Sequence, residues 1–300
     1  MRVVLAVGGN ALLRRGEPFE YAALRTAIAA AARPIAAVAR EHRVIITHGN
    51  GPQIGWLALR SEGGGHPSGA TLDVLGAESE GMIGYLIVQQ LSAELPGRPV
   101  AVLLTQVVVD PGDPAFSHPT KPIGAVHDEA AARRLETERG WQLGPETGGW
   151  RRLVPSPEPR RIVELETIRL LLDADRVVVC AGGGGIPVQL RPDGATVGVE
   201  AVVDKDLTSA LLARELRTEL LVLLTDVEAI YRDWPQRRDP IGRTTPAELR
   251  RLSLEEGSMG PKVEAACRFV ESTGGRTAIG SVEQAAELVA GTSGTQVVAR

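Results

Sequence analysis

The chain has 300 residues, 43% of them hydrophobic, and a formal net charge of -4 with its arginines scattered. That is enough to bury a large core as one α/β domain or two lobes; it excludes a coiled or disordered chain, and the basic stripe of a nucleic-acid binder is missing. Two cysteines, Cys180 and Cys267, make neither a disulfide framework nor a metal spacing, which fits a reducing cytoplasm.

In chain order, RVVLAV (2–7) reads as a strand buried on both faces and runs into the glycine turn GGNALL. No signal-peptide succession precedes it and no apolar run reaches spanning length, so a soluble protein that is not exported is expected. A helical pattern over 20–42, interrupted by Pro34, leads to the strand RVIITH (43–48) and a second turn, HGNGPQIG. A helix over 81–95 and a strand over 99–109 follow. Residues 111–159 are crowded with Pro and Gly and predict a small inserted subdomain or lid, with Trp141 and Trp150 as its minimal core. Beyond it come a helix (160–174), a strand (176–181), the turn CAGGGGIPV, a helix (206–217), a strand (219–227), and helices over 261–273 and 281–291. Alternating strands and helices predict an α/β fold, a three-layer αβα sandwich with a mainly parallel central sheet.

Glycines after a strand bring backbone N–H groups to a ligand, and in a doubly wound sheet such turns converge on one crevice. The chain's two asparagines, Asn10 and Asn50, each sit in one of these turns. Either they supply left-handed turn conformations or they recognise a ligand. No turn matches GxxxxGK[ST], and GGGG followed by Ile186 and Pro187 does not meet GxGxxG. His48 precedes a turn and reads as structural or as a hydrogen-bond donor rather than a base.

Of 33 basic residues only three are lysine: Lys121, Lys205 and Lys262. Codon bias explains scarce lysine but not where the survivors sit, in TKP, DKD and GSMGPK. Lysine is a compact point charge, arginine a wide planar fork, and phosphoryl transfer needs positive charge at crowded phosphate oxygens. Asp206 begins a helical run that it can cap, and a carboxylate beside two lysines also keeps both protonated.

Together GGNA, HGNGPQ, LTQVVVD with PTKPIG, GWRRLVPSP, GGGGIPV, DKD, LTDV and GSMGPK, in order over essentially the whole chain, resemble the carbamate kinases of the amino-acid kinase superfamily. The resemblance implies a carbamate-binding lobe over 1–175 containing a protruding subdomain at about 112–159, a nucleotide lobe over 176–300, and a cytoplasmic homodimer. It implies reversible transfer between ATP and carbamate, giving ADP and carbamoyl phosphate, with Mg2+ carried by the nucleotide and no nucleic-acid or membrane partner. Gly8, Gly9, Asn10, Gly49, Asn50 and Gly51 would hold the acceptor and phosphoryl group. Lys205 and Lys262 would stabilise charge, Asp206 would organise them, and Lys121 would reach carbamate from the insert. Thr225, Asp226, Tyr231 and Met259 fall in nucleotide-side motifs, with Lys262. The chain departs from the pattern at ETGGW, where GRGW is usual, and at Gly280, where threonine is commoner. The competing readings are a superfamily kinase for another small carboxylate or phosphonate, and a non-catalytic nucleotide sensor.

Overall fold

Strand β1 (Arg2–Val7) is the hub of the molecule, paired in parallel with β2 (Arg43–His48) on one side and β12 (Leu220–Thr225) on the other. The computed structural model describes residues 1–12, 20–62, 70–146, 148–252 and 259–299. Beyond β2 the main sheet continues through β9 (Val177–Val179) to β3 (Val100–Val102), its edge. Beyond β12 lie β14 (Arg276–Ser281), β15 (Thr295–Val297) and β13 (Arg243–Thr244). The six strands from β3 to β14 are parallel, and β15 reverses direction.

Alternation along β1 explains the layering. Val3, Leu5 and Val7 join a core with helices α2 (Tyr21–Glu41), α4 (Leu72–Glu94) and α10 (Ala285–Ala290). Val4 and Ala6 join the opposite core with α6 (Leu165–Asp173), α7 (Lys205–Glu215) and α9 (Met259–Thr273). The predicted αβα sandwich is the observed architecture.

Several boundaries differ from expectation. Helix α2 runs straight through Pro34, because Ala31, Ala32, Ile35 and Ala36 are buried against the sheet and offset the lost hydrogen bond. By length and composition alone α2 is also apolar enough to cross a membrane, contrary to the expectation that no run is; its buried face serves the core. The apolar run 99–109 divides into β3 and a separate β4 (Gln106–Val109). The bend falls at Thr105, whose buried N–H goes to the Glu80 carboxyl group rather than to a neighbouring strand. The predicted helix 160–174 begins as β8 (Pro159–Ile162), which joins β4, β10 (Ile186–Leu190) and β11 (Thr196–Gly198) in a four-stranded sheet. Strand β14 was not expected. Its Gly280 is the departure noted in the sequence, and a Cβ there would lie 2.8 Å from the Glu228 carbonyl.

The insert forms an antiparallel sheet in the order β5 (Lys121–His127), β7 (Gly149–Val154), β6 (Gln142–Glu146), with α5 (Glu129–Arg139) between β5 and β6. Ile123 and Val154 pack with Ile54 and Leu57 of α3 (Gly51–Glu62). Trp141 and Trp150 do not supply a buried core. Each is half-buried against an arginine, Arg152 over Trp141 at 4.3 Å and Arg133 near Trp150 at 6.0 Å. In ETGGW, Thr147 lies outside the described residues, while Gly148 takes a positive φ of 90°.

Candidate active site

The chain reaches β2, β9 and β3 on one side of β1 and returns to β12 on the other, so the strand order switches direction at β1, where parallel sheets open a crevice. The glycine turns meet at that end of the sheet. A Cβ on Gly49 would lie 2.6 Å from the Gly9 nitrogen, and one on Gly8 would lie 2.9 Å from the Leu224 carbonyl. Gly51 opens α3, and Gly9 and Asn10 lie in the single turn α1 (Gly9–Leu12). The Asn10 side chain lies outside the description, as do Gly257 and Ser258 of GSMGPK.

The third turn closes on the second. Ala181 and Gly183 to Gly185 all take positive φ, and Gly183 has no room for a Cβ, which would fall 2.1 Å from the Asn50 amide. Thr208 Oγ1 donates to the Gly184 carbonyl at 2.9 Å, fastening the turn to the first turn of α7.

That helix does not open on Asp206. It opens on Lys205, and the cap is Asp204, whose Oδ1 accepts from the N–H groups of Asp206 at 2.9 Å and Leu207 at 3.2 Å. Asp206 is thereby free to bind cations: Lys205 Nζ lies 2.5 Å from Oδ1 and Lys262 Nζ, carried by α9, 3.1 Å from Oδ2. All three residues are buried. Burial lowers the Lys205 ammonium, Asp206 works to keep it charged, and Lys262 adds to the drop. Burial acts to raise the Asp206 carboxyl, but Lys205 and Lys262 outweigh it and hold the group well below the usual carboxylate range. The triad carries two positive charges against one negative, held out of water beside turns rich in N–H groups.

Ser209 ties the triad to the turns: its hydroxyl donates to the Lys205 carbonyl at 2.7 Å and lies 2.7 Å from Thr47 Oγ1, one residue before His48. His48 is fully buried, and burial lowers its pKa to about 4, the nearby Lys205 adding to the drop while a hydrogen bond to Gly49 opposes it. It is therefore neutral near pH 7.

From the insert, Lys121 Nζ lies 2.6 Å from Asp204 Oδ2, bringing the third lysine to the start of α7. On the other flank Thr225 ends β12 beside Gly8 and shares a hydrogen bond with Asp226 at 3.0 Å. Tyr231 is buried and its backbone bridges Pro240; Met259 begins α9 and packs on the core of α7 and α9. The structure thus brings the three lysines, Asp206 and the glycine turns together, with Thr225 alongside; Met259 starts the helix that carries Lys262, and Tyr231 follows β12.

Sequence reading missed four contributors. Asp204 was passed over because the cap was expected at Asp206, and the observed geometry gives that role to Asp204. Gln53, in HGNGPQ, is buried with neither side-chain atom partnered among the described residues; its place three residues after Asn50 was the available signal. Ser79 and Glu80, inside α4, are buried polar groups that touch two of the turns and carry no local signature.

The amino acid kinase family model matches residues 1–281. A carbamate kinase from Rhizobium meliloti is 49% identical over 300 residues, covering 98% of this chain and 92% of that protein. Among solved structures, carbamate kinase from Giardia lamblia bound to citric acid superimposes with a TM-score of 0.92 at 36% identity, over 100% of this chain and 98% of the other. The same Giardia enzyme bound to AMP-PNP gives 0.89 at 36% identity, again over 100% and 98%.

Proposed function

Since the chain belongs to the amino acid kinase family and, within it, to the carbamate kinases, we propose that the crevice transfers a phosphoryl group reversibly between ATP and carbamate, giving ADP and carbamoyl phosphate. The observation that carries the proposal is the buried triad. Two ammoniums share one carboxylate and leave an excess positive charge where the glycine turns present N–H groups, the arrangement a transferring phosphoryl group needs.

In this reading the turns at Gly8, Gly9, Gly49, Asn50 and Gly51 hold the acceptor and the transferred group, with Asn10. Lys205 and Lys262 neutralise charge spreading over the equatorial and bridging oxygens, while Asp206 keeps both ammoniums charged and in place. Lys121, brought in by the insert, binds the carbamate end. The nucleotide lies on the side of Thr225, Asp226, Tyr231 and Met259, in a C-terminal lobe over 176–300, facing an acceptor lobe over 1–175. Carbamate is already an anionic nucleophile, so the reaction asks for no general base, and a neutral buried His48 is consistent with that.

Magnesium would enter with the nucleotide, held mainly by its phosphates, since both Asp206 oxygens are already engaged by lysines. A homodimer is supported by the exposed edge at β3, where Val102, Leu104 and Tyr85 present apolar surface. Two free, buried cysteines suit a cytoplasmic setting.

The test is a coupled assay in which the protein, ADP, magnesium and carbamoyl phosphate yield ATP while acetyl phosphate serves poorly. ATP no higher than in a blank without enzyme would refute it.

A further inference from the structure

Ser79 and Glu80 are consecutive in the middle of α4, both without exposed surface, and each reaches a different glycine turn. Ser79 Oγ accepts from Asn50 Nδ2 at 2.8 Å and donates to the Gly76 carbonyl at 2.8 Å. Glu80 Oε1 accepts from the Gly182 N–H at 2.9 Å, and Oε2 from the Thr105 N–H at 3.3 Å. Thr105 continues the chain of contacts. Its Oγ1 accepts from the Ala181 N–H at 2.9 Å and its carbonyl accepts from the Ile186 N–H at 2.8 Å, so it grips both ends of the third turn.

The turn needs such a grip. Ala181 takes a φ of 50°, a left-handed conformation disfavoured for a residue with a Cβ, and three glycines with positive φ follow. Apolar packing of α4 would be served as well by leucine or methionine at position 80. A carboxyl there is expensive: burial pushes it up to about 8, against the two N–H donors and a hydrogen bond from Thr105 that act the other way. What the carboxyl supplies and a hydrocarbon cannot is a fixed acceptor for one particular N–H group.

We propose that Ser79 and Glu80 are positioning residues for phosphoryl transfer: Ser79 orients the Asn50 amide, Glu80 anchors the third turn through its Gly182 N–H, and one turn of α4 thereby fixes the distance between two glycine turns. The inference rests on the reading of the crevice as a phosphoryl-transfer site. Neither residue touches the reacting atoms; each acts by holding in place a turn that lines the crevice.

The experiment compares Glu80→Gln, Ser79→Ala and Ile83→Val, a core change one turn further along α4, by coupled assay, ADP calorimetry and thermal unfolding. Glutamine keeps the shape of the side chain but offers one acceptor where two N–H groups wait. Glu80→Gln and Ser79→Ala should each lower kcat with carbamoyl phosphate about 10- to 100-fold. ADP affinity should stay within about twofold of wild type, since a displaced turn misaligns the transferred group more than the nucleotide. Ile83→Val should lose a little thermal stability and keep its kcat. Wild-type kcat in both polar variants, or a fall in kcat matched by equal losses of ADP affinity and melting temperature, overturns the inference. A wild type that makes no ATP overturns the reading beneath it, and the inference with it.

Discussion

Asp206→Asn removes the one negative charge between two buried ammoniums and leaves the shape of the side chain intact. Both carboxylate oxygens are committed, at 2.5 Å to Lys205 and 3.1 Å to Lys262, so an amide can satisfy one lysine and must turn its own donor toward the other. Removing one partner of a buried ion pair costs about 3 to 5 kcal/mol. Part of that is relieved if a lysine gives up its proton, and Lys205, already lowered by burial and by Lys262, is the one to do so. The variant should therefore fold less stably and lose about 10² to 10³ in kcat, the loss typical of one misplaced charge donor. The sign of the pH dependence follows. The protonated lysine is the active form, so a further lowered pKa makes turnover fall as pH rises through a range where wild type is flat, and recover in part on acidification. Unfolding responds to acid as well: the folded-state Asp206 carboxyl sits below its ordinary 3.8, so its contribution to wild-type stability is present above that value and lost as pH falls below it. The asparagine variant should lack that acid-side loss. Initial rates of ATP formation from about pH 6 to 9 and acid melting curves read both effects. A variant with kcat within about threefold of wild type and the same pH profile would show that the triad is structural.

Lys205→Arg keeps the charge but must fit a guanidinium where the side chain is 10% exposed; kcat should drop about 10² to 10³, and melting should report an overpacking cost of about 1 to 3 kcal/mol. Lys121→Ala should impair use of carbamoyl phosphate and leave the calorimetric ADP affinity nearly unchanged; parallel loss of both would assign the lysine to the wrong ligand. Gly183→Ala combines a φ of 68° with a Cβ 2.1 Å from the Asn50 amide, so it should displace Asn50 and reduce both stability and turnover; a crystal structure of an active variant with Asn50 unmoved would refute the steric account.

What was legible in the sequence was local. The glycine turns, the three lysines and the apolar strands each announce themselves within a few residues, and the structure brings the lysines and turns together. What escaped depends on partners far along the chain. Asp204 and Asp206 flank the same lysine, and their separate roles appear only once the helix start and the position of Lys262 are fixed. Glu80 was invisible because its partners, Thr105 and Gly182, are 25 and 102 residues away. Strand β14 was overlooked because six residues including a glycine, running straight into a helix, carry little of the apolar pattern that marks β1 or β12. The break at Thr105 was hidden for the opposite reason: apolar residues on both sides of Thr105 and Gln106 make 99–109 read as one strand.

The pairing of β1 with β12, Val3 opposite Leu220, has a consequence for the newborn chain. Strand β1 leaves the ribosome before either neighbour, and β2 can cover one of its edges soon afterwards. The other edge has no native partner until β12 has been made, which at about 5 to 20 residues per second is a wait on the order of 10 to 40 s. Throughout that interval an apolar strand with bare N–H and C=O groups is open to pairing with any other extended chain. The crevice lies at the end of that late seam, with Gly8 and Thr225 on its two sides. Ligand binding is therefore acquired only after β12 has emerged, and chaperone demand should concentrate on chains stalled before about residue 220.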